Sequence, residues 1–311
     1  MKYKLESFFE DNKNNSFRRI NSTHPIDIFL GFDDKNQHTI IVKEVGSVKK
    51  IESSKYIIAR AYLNERKKVT LSFSLIDKSL YPIFLKFCED LIFSSEKLKK
   101  SDAINFIVAR WNSWRKVFRR PNLDLLSEKE IIGLLGELTF LKKYLIPKFG
   151  EFNAIEAWNG PEMASKDFQI NETWYEIKTI IESGLAITIS SLEQLDSEVN
   201  GYLVLFLLEK STNVANGAIS LNSYIREIEE SIEDFDVKLK FRSKLAEVGY
   251  YEAEEYDGLN FKLKGDKFFL VDETFPRIKQ NDLSSGIVKV SYKILINSID
   301  KYLKVGVLNE N

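Results

Sequence analysis

The chain reads as a mixed α/β (α+β) protein in which a smaller N-terminal lobe of sheet and helices precedes a larger domain ordered as helix, three strands, helix, strand. Three observations predict this. Residues 26–75 carry short apolar or alternating runs separated by turn chemistry, the pattern of strands. Ser127, followed at the third position by Glu130, opens a segment whose Ile131, Leu134, Leu135, Leu138, Leu141 and Leu145 share one helical stripe. Gly201 to Leu208 is almost unbroken apolar sequence, as expected of a strand covered on both faces.

Composition narrows the chemistry. With 311 residues, 44% of them hydrophobic, the chain can bury one large core or two ordinary ones. No stretch approaches the ~20 apolar residues that span a bilayer, and the start, Met1-Lys2-Tyr3-Lys4-Leu5-Glu6, lacks a secretory apolar run. A cytoplasmic location without membrane association is the expectation. The single cysteine, Cys88, sits among Phe84, Leu85 and Phe87 and reads as a buried apolar residue, which excludes a disulfide framework and a cysteine zinc site. The two histidines, His24 and His38, have no evident partners, so hydrolytic chemistry would have to run on carboxylates and lysines.

The formal net charge of −1 favours no partner class, but its distribution is uneven. Lys97, Lys99, Lys100, Arg110, Arg115, Lys116, Arg119 and Arg120 face one acid, Asp102, whereas residues 227–257 are strongly acidic. The basic stretch, above all Arg110, Arg115, Lys116, Arg119 and Arg120, is a candidate nucleic-acid surface; ordinary solvated helix faces are the alternative.

In chain order, Ile26 to Phe32 and Thr39 to Val45 flank the turn residues 33–37 and predict a hairpin. Strands follow at Tyr56 to Tyr62 and at Val69 to Leu75, the second alternating as a half-buried strand does. Pro82 suits the first turn of a helix reaching about Phe93. A second helix, from about Asp102 to Phe118, carries Trp111 and Trp114 as core anchors on its apolar stripe. Arg119-Arg120-Pro121-Asn122 breaks the pattern and separates lobes at 1–121 and 122–311. The capped helix then runs to about Tyr144, with Pro147 ending it. Strands are expected at Lys166 to Ile170, Thr173 to Ile180 and Leu185 to Ser190, followed by a short helix through Gln194 and Leu195 and the buried strand at 201–208. The tail predicts helices near Leu221 to Ile232 and Val237 to Val248, a hairpin turning at Gly265-Asp266, and a strand from Gly286 to Ile296.

One constellation carries chemistry. Within a strand, Glu176 and Lys178 point to one face, and Tyr175 and Ile177 to the other. If Asn171-Glu172 is the hairpin centre, with Ile170 opposite Thr173, the register sets Asp167 opposite Glu176 on a shared face. Facing carboxylates repel unless a cation compensates. Magnesium, a hard ion that keeps several waters, suits Asp167, Glu176 and a backbone carbonyl such as that of Ile177. Lys178 is then placed to orient an attacking water or to stabilise charge on a phosphate. Glu137, off the apolar stripe and flanked by Gly133 and Gly136, can reach the site through a metal-bound water. The competing readings are a structural charge cluster neutralised by Lys178, and a surface acid at Glu137.

At these residues the chain resembles the PD-(D/E)XK nuclease superfamily, in which an acid-bearing helix, a hairpin with Asp and Glu-x-Lys, a helix and a strand form a restriction-endonuclease-like core. More narrowly, Gly133-Leu134-Leu135-Gly136-Glu137-Leu138, Trp158-Asn159-Gly160-Pro161, Lys166-Asp167-Phe168, Glu176-Ile177-Lys178 and Phe275-Pro276-Arg277 are similar to a family of bacterial PD-(D/E)XK motif proteins of comparable length. Ser165 and Lys166 stand where the superfamily has a proline before the aspartate. The resemblance implies a magnesium-dependent DNA endonuclease, with manganese as a possible substitute ion, acting in restriction or phage defence as a homodimer or with other defence-system subunits. Its rival is a noncatalytic nucleic-acid-binding or assembly subunit. RNA cleavage would use the same site.

Overall fold

The alternating runs of the first lobe form an antiparallel sheet in the computed structural model, which describes residues 5–308 apart from 11–13, 48–49, 64–67, 97, 119–124, 163–164 and 213–214. By internal contacts the chain divides into two units, Met1–Asp124 with Leu245–Glu252, and Leu125–Lys244 with Ala253–Asn311. The break expected at 119–122 lies outside the described residues.

In the first unit, β1 (Ser16–Arg19), β2 (Asp27–Phe32), β3 (His38–Val45), β4 (Ile57–Leu63) and β5 (Lys68–Leu75) form one sheet in the order β1-β2-β3-β5-β4. The β2–β3 turn forms as its residues dictate: Asp33 Oδ1 accepts from the amides of Lys35 (3.0 Å) and Gln37 (2.9 Å), and Asn36 takes φ +57°. Helices α1 (Tyr81–Ser94), with Pro82 in its first turn, and α2 (Ala103–Val117) supply the core rings. Trp111 is fully buried against Phe73 and Phe87, and its Nε1 donates to the Glu52 carbonyl at 2.8 Å. Cys88 is buried, and burial raises its thiol pKa well above the usual value. Strand β5 is more enclosed than its alternation predicts. It lies between β3 and β4, so Ser72 and Ser74 are buried as well, and Ser74 Oγ accepts the Thr39 hydroxyl at 2.9 Å.

In the second unit the Ser127–Glu130 capping box starts α3 (Glu128–Phe140). Pro147 does not end the helical path, as the sequence suggests. The chain passes through a π-helical turn, Leu141–Leu145, into α4 (Ile146–Glu156), where proline sits in the first turn and its missing N–H is no loss. The real break is at Gly150, with φ +77°.

The remaining elements are β6 (Phe168–Ile170), β7 (Thr173–Ile181), β8 (Ala186–Ile189), a 3-10 turn at Leu192–Gln194, β9 (Gly201–Ser211), β10 (Ile219–Ser220), α5 (Leu221–Ser231), α6 (Phe235–Glu247), β11 (Asn260–Val271), β12 (Tyr292–Leu295) and β13 (Leu303–Lys304). The main sheet runs β10-β11-β9-β7-β6, with β13 also paired to β11. Its β7 and β9 are parallel, and the other pairs are antiparallel.

Four features differ from what the local sequence pattern alone conveys. Strand β8 leaves the main sheet and pairs with β12, a partner about a hundred residues downstream that no local pattern reveals. The helix expected after β8 is one 3-10 turn. Gly265-Asp266 makes no hairpin: β11 continues along β9 with a bulge between Leu263 and Gly265, while Asp266 is held by Lys143 and Tyr144, each at 2.5 Å. The strand expected from Gly286 shrinks to β12.

Phe140 packs on Phe168 and Tyr175, which places α3 on one face of the sheet. The opposite face carries Trp174, Leu203 and Leu205 and is covered by Ile187 and Ile189 of β8, Leu195, Phe275 and Ile294. Helix and sheet meet most closely at Gly136, where an added Cβ would stand 1.8 Å from Thr179 Oγ1 and 3.4 Å from Ile177 Cγ2. Gly136→Ala is therefore expected to destabilise the protein by about 1–3 kcal/mol despite the better helix propensity of alanine. Chemical denaturation checks this, and adding Thr179→Ala should restore part of the loss; an unchanged midpoint for Gly136→Ala would disprove the contact.

Candidate active site

The turn between β6 and β7 sets the site's register. Asn171 and Glu172 both adopt positive φ (48° and 64°), and Ile170 pairs with Thr173 and Phe168 with Tyr175. Extending this register places Asp167 against Glu176, as the sequence predicts. The ladder stops one residue short of that pair, and Asp167 is fastened by other bonds. Its carbonyl accepts the amides of Asn159 (2.8 Å) and Gly160 (3.0 Å), and its Oδ2 accepts the Ile177 N–H at 2.7 Å.

Alternation along β7 sends Tyr175, Ile177 and Thr179 toward α3, and Glu176 and Lys178 to the face beneath β8. Glu176 is 1% exposed. Lys178 Nζ donates to Glu176 Oε1 at 2.7 Å and to Gln194 Oε1 at 3.1 Å. Glu137 enters from α3, with Oε2 accepting the indole N–H of Trp158 at 2.7 Å. A Cβ on Gly160 would lie 2.7 Å from Glu137 Oε2 and 3.3 Å from Asp167 Oδ1, so only glycine lets this loop pass both carboxylates. Glu137, Asp167, Glu176, Ile177 and Lys178 line one cleft of about 680 Å³.

The acids oppose one another's ionisation. Burial, then the charge of Asp167, pushes Glu176 up to about 8. Burial and Asp167, in that order, raise Glu137 well above the usual carboxylate range. Asp167 is raised by burial against the opposing pull of Lys178, the Ile177 amide and Lys166. A divalent cation would reverse this penalty, and the donor set, all oxygen, is the hard kind that magnesium takes. Among the described residues no three acids, histidines or cysteines are gathered tightly enough to hold an ion alone. Each acid instead has one oxygen engaged, by Trp158, Ile177 or Lys178. An ion held by two carboxylates, the Ile177 carbonyl and waters fits what remains.

Of the basic residues nominated from the sequence, Arg110, Arg115 and Lys116 do not line this cleft. Arg110, Arg115 and Lys116 lie in the first unit, where they pair with Asp90, Glu52 and Glu247; Trp114 Nε1 shares Asp90 at 2.7 Å. Arg119 and Arg120 fall outside the described residues. Four residues of the site carried no assigned role: Trp158 and Gly160, which shape the acid pair; Gln194, which holds Lys178; and Lys166. The Lys166 ammonium is buried over the Trp174 ring at 4.1 Å, and burial lowers its pKa to about 8. The sequence signal for the first two was the Trp-Asn-Gly-Pro run itself.

A family model described as "Putative PD-(D/E)XK family member, (DUF4420)" matches residues 5–297, and the chain belongs to that family. Its mixed α/β architecture is consistent with the restriction-endonuclease-like α+β fold. No curated protein and no solved structure matches the chain. Among the described residues no helix is long and apolar enough to cross a membrane.

Because Glu176 is raised from 4.5 to about 8, the folded protein holds a proton there that the unfolded chain releases, so stability falls as pH rises between those values. In chelator, the melting temperature is expected to drop from about pH 5 to about pH 8, and Glu176→Gln should flatten that slope. Magnesium should raise it more at the higher pH. Differential scanning fluorimetry reads both effects, and a flat wild-type profile would refute the buried-acid assignment.

Proposed function

We propose that the protein is a metal-dependent nuclease that hydrolyses DNA phosphodiester bonds, serving restriction or phage defence. The observation that carries this reading is the meeting of Asp167, Glu176 and Lys178 in one cleft that Glu137 also lines. Asp167, Glu176 and the Ile177 carbonyl would hold magnesium or manganese, with Glu137 assisting through water. The bound ion supplies Lewis acidity toward the phosphate and a lowered pKa for water.

The protein's own groups supply the positioning. Lys178 carries its ammonium on the face of Glu176, where it can orient a water in line with the scissile phosphorus and offset charge on the departing phosphate. Glu176 and Gln194 accept two of its three protons, which leaves the third for the substrate side. The β8–β12 ribbon shields this face of the sheet, limiting water beside the acids. One such cleft serves one strand, so duplex cleavage requires a second copy, a partner subunit or two successive events.

Incubating the purified protein with supercoiled, linear and single-stranded DNA and with RNA, in magnesium or chelator, tests the reading. Metal-dependent cleavage of DNA is expected, and Asp167→Ala and Lys178→Ala should each lower it by roughly 100-fold or more. Calorimetry should show magnesium binding lost in Asp167→Ala and kept in Lys178→Ala. Cleavage undiminished in both variants, or a wild type that neither cuts nor binds magnesium, would overturn the proposal and favour a noncatalytic binding subunit.

A further inference from the structure

The turn that carries Gln194 has few bonds of its own. Leu192–Gln194 is a single 3-10 turn closed by Leu195 N–H (3.1 Å) and Asp196 N–H (2.9 Å) on the Leu192 carbonyl, and no side chain caps its start. One such turn is too short to stabilise itself. Yet its side chain at Gln194 holds two groups at once: Oε1 accepts Lys178 Nζ at 3.1 Å and the Ser190 N–H at 2.8 Å.

Two cations grip the end of this turn from separate parts of the chain. Lys166 Nζ donates to the Glu193 carbonyl at 2.5 Å and to the Asp196 carbonyl at 3.2 Å. Arg277 Nη1 donates to the carbonyl between them, that of Leu195, at 2.5 Å. The Asp196 carboxylate in turn accepts the Gln280 N–H at 3.0 Å. Carbonyls at the end of a helical turn point outward with partial negative charge, and charged donors are their strongest partners. Phe275, buried with Leu195 and Tyr302, holds the segment leading to Arg277 in place.

We infer that Arg277 and Lys166 are positioning residues that fix the 193–196 turn, and through Gln194 set where the Lys178 ammonium stands in the cleft. This rests on the nuclease reading for its consequence but not for its geometry. It gives Phe275-Pro276-Arg277, a motif far in sequence from the acids, a function at the site. Ring burial by Phe275 supplies the anchor, and the guanidinium reaches the turn.

The Ser190 amide reports on Gln194 without any need for activity, and the Ile177 amide, held by Asp167, serves as the control at the acid end of the site. By amide hydrogen exchange, Arg277→Gln and Gln194→Leu should each speed exchange at Ser190 by about tenfold or more while leaving Ile177 unchanged. Arg277→Lys, which keeps a charged donor, should fall between wild type and Arg277→Gln. In cleavage assays Arg277→Gln should lower kcat by about 10- to 100-fold with KM for DNA little altered. The Arg277→Gln, Gln194→Leu double variant should be no slower than Gln194→Leu alone, because both changes act through one residue. Unchanged exchange at Ser190, equal acceleration at both amides, or independent multiplication of the two kinetic losses would overturn the inference. A wild type without metal-dependent cleavage would sink the nuclease reading alone, since the exchange measurements still decide whether Arg277 sets Gln194.

Discussion

The burial of three carboxyl groups in one cleft, two of them beside the charge of Asp167, is the constraint on which the second unit's site depends. Glu137, Asp167 and Glu176 come from a helix, a strand end and a strand interior, and each is raised in pKa by burial, two of them also by the charge of Asp167. A fold that merely sought stability would place such groups in water. Here each is tethered by a specific donor: an indole N–H, a backbone amide and an ammonium. The tethers keep the acids directed into the cleft while a share of their oxygens stays open. That arrangement makes physical sense where a cation is to arrive, because the electrostatic cost in its absence becomes affinity in its presence.

Much of the surrounding sequence serves this requirement. Gly136 brings α3 down onto β7, which sets the height of Glu137 above the sheet edge. Trp158, Asn159 and Gly160 hold that carboxylate and the Asp167 backbone from the other side, and the glycine leaves the space between the two acids clear. Lys244, on α6, donates from its buried ammonium to the Trp158 carbonyl and so steadies the loop. Several residues that look structural taken singly thus define the position of three carboxyl groups.

The first unit is built on a different principle. Its α1 and α2 close an aromatic core over a five-stranded sheet, and Arg110, Arg115 and Lys116 of α2 each form an ion pair, Arg110 with an aspartate that also takes the Trp114 indole. Charge counted along a sequence does not distinguish a solvated patch from a set of internal pairs. The distinction depends on acids such as Asp90 and Glu247, of which the second lies more than a hundred residues away.

What the sequence determined by itself was local. The period of its apolar residues located most strands and helices, Ser127 and Glu130 capped α3, and Asn171-Glu172, by its turn chemistry, fixed the register that brings Asp167 toward Glu176. These features depend on neighbours within a few residues. What only the tertiary structure decided was the pairing across long separations: β8 with β12, β11 running straight along β9 where Gly265-Asp266 suggested a turn, and Arg277 brought to the turn that holds Lys178 by way of Gln194. Such contacts form because buried donors, acceptors and apolar faces must all find partners at once, and that demand is set by the whole fold, not by any window of the chain.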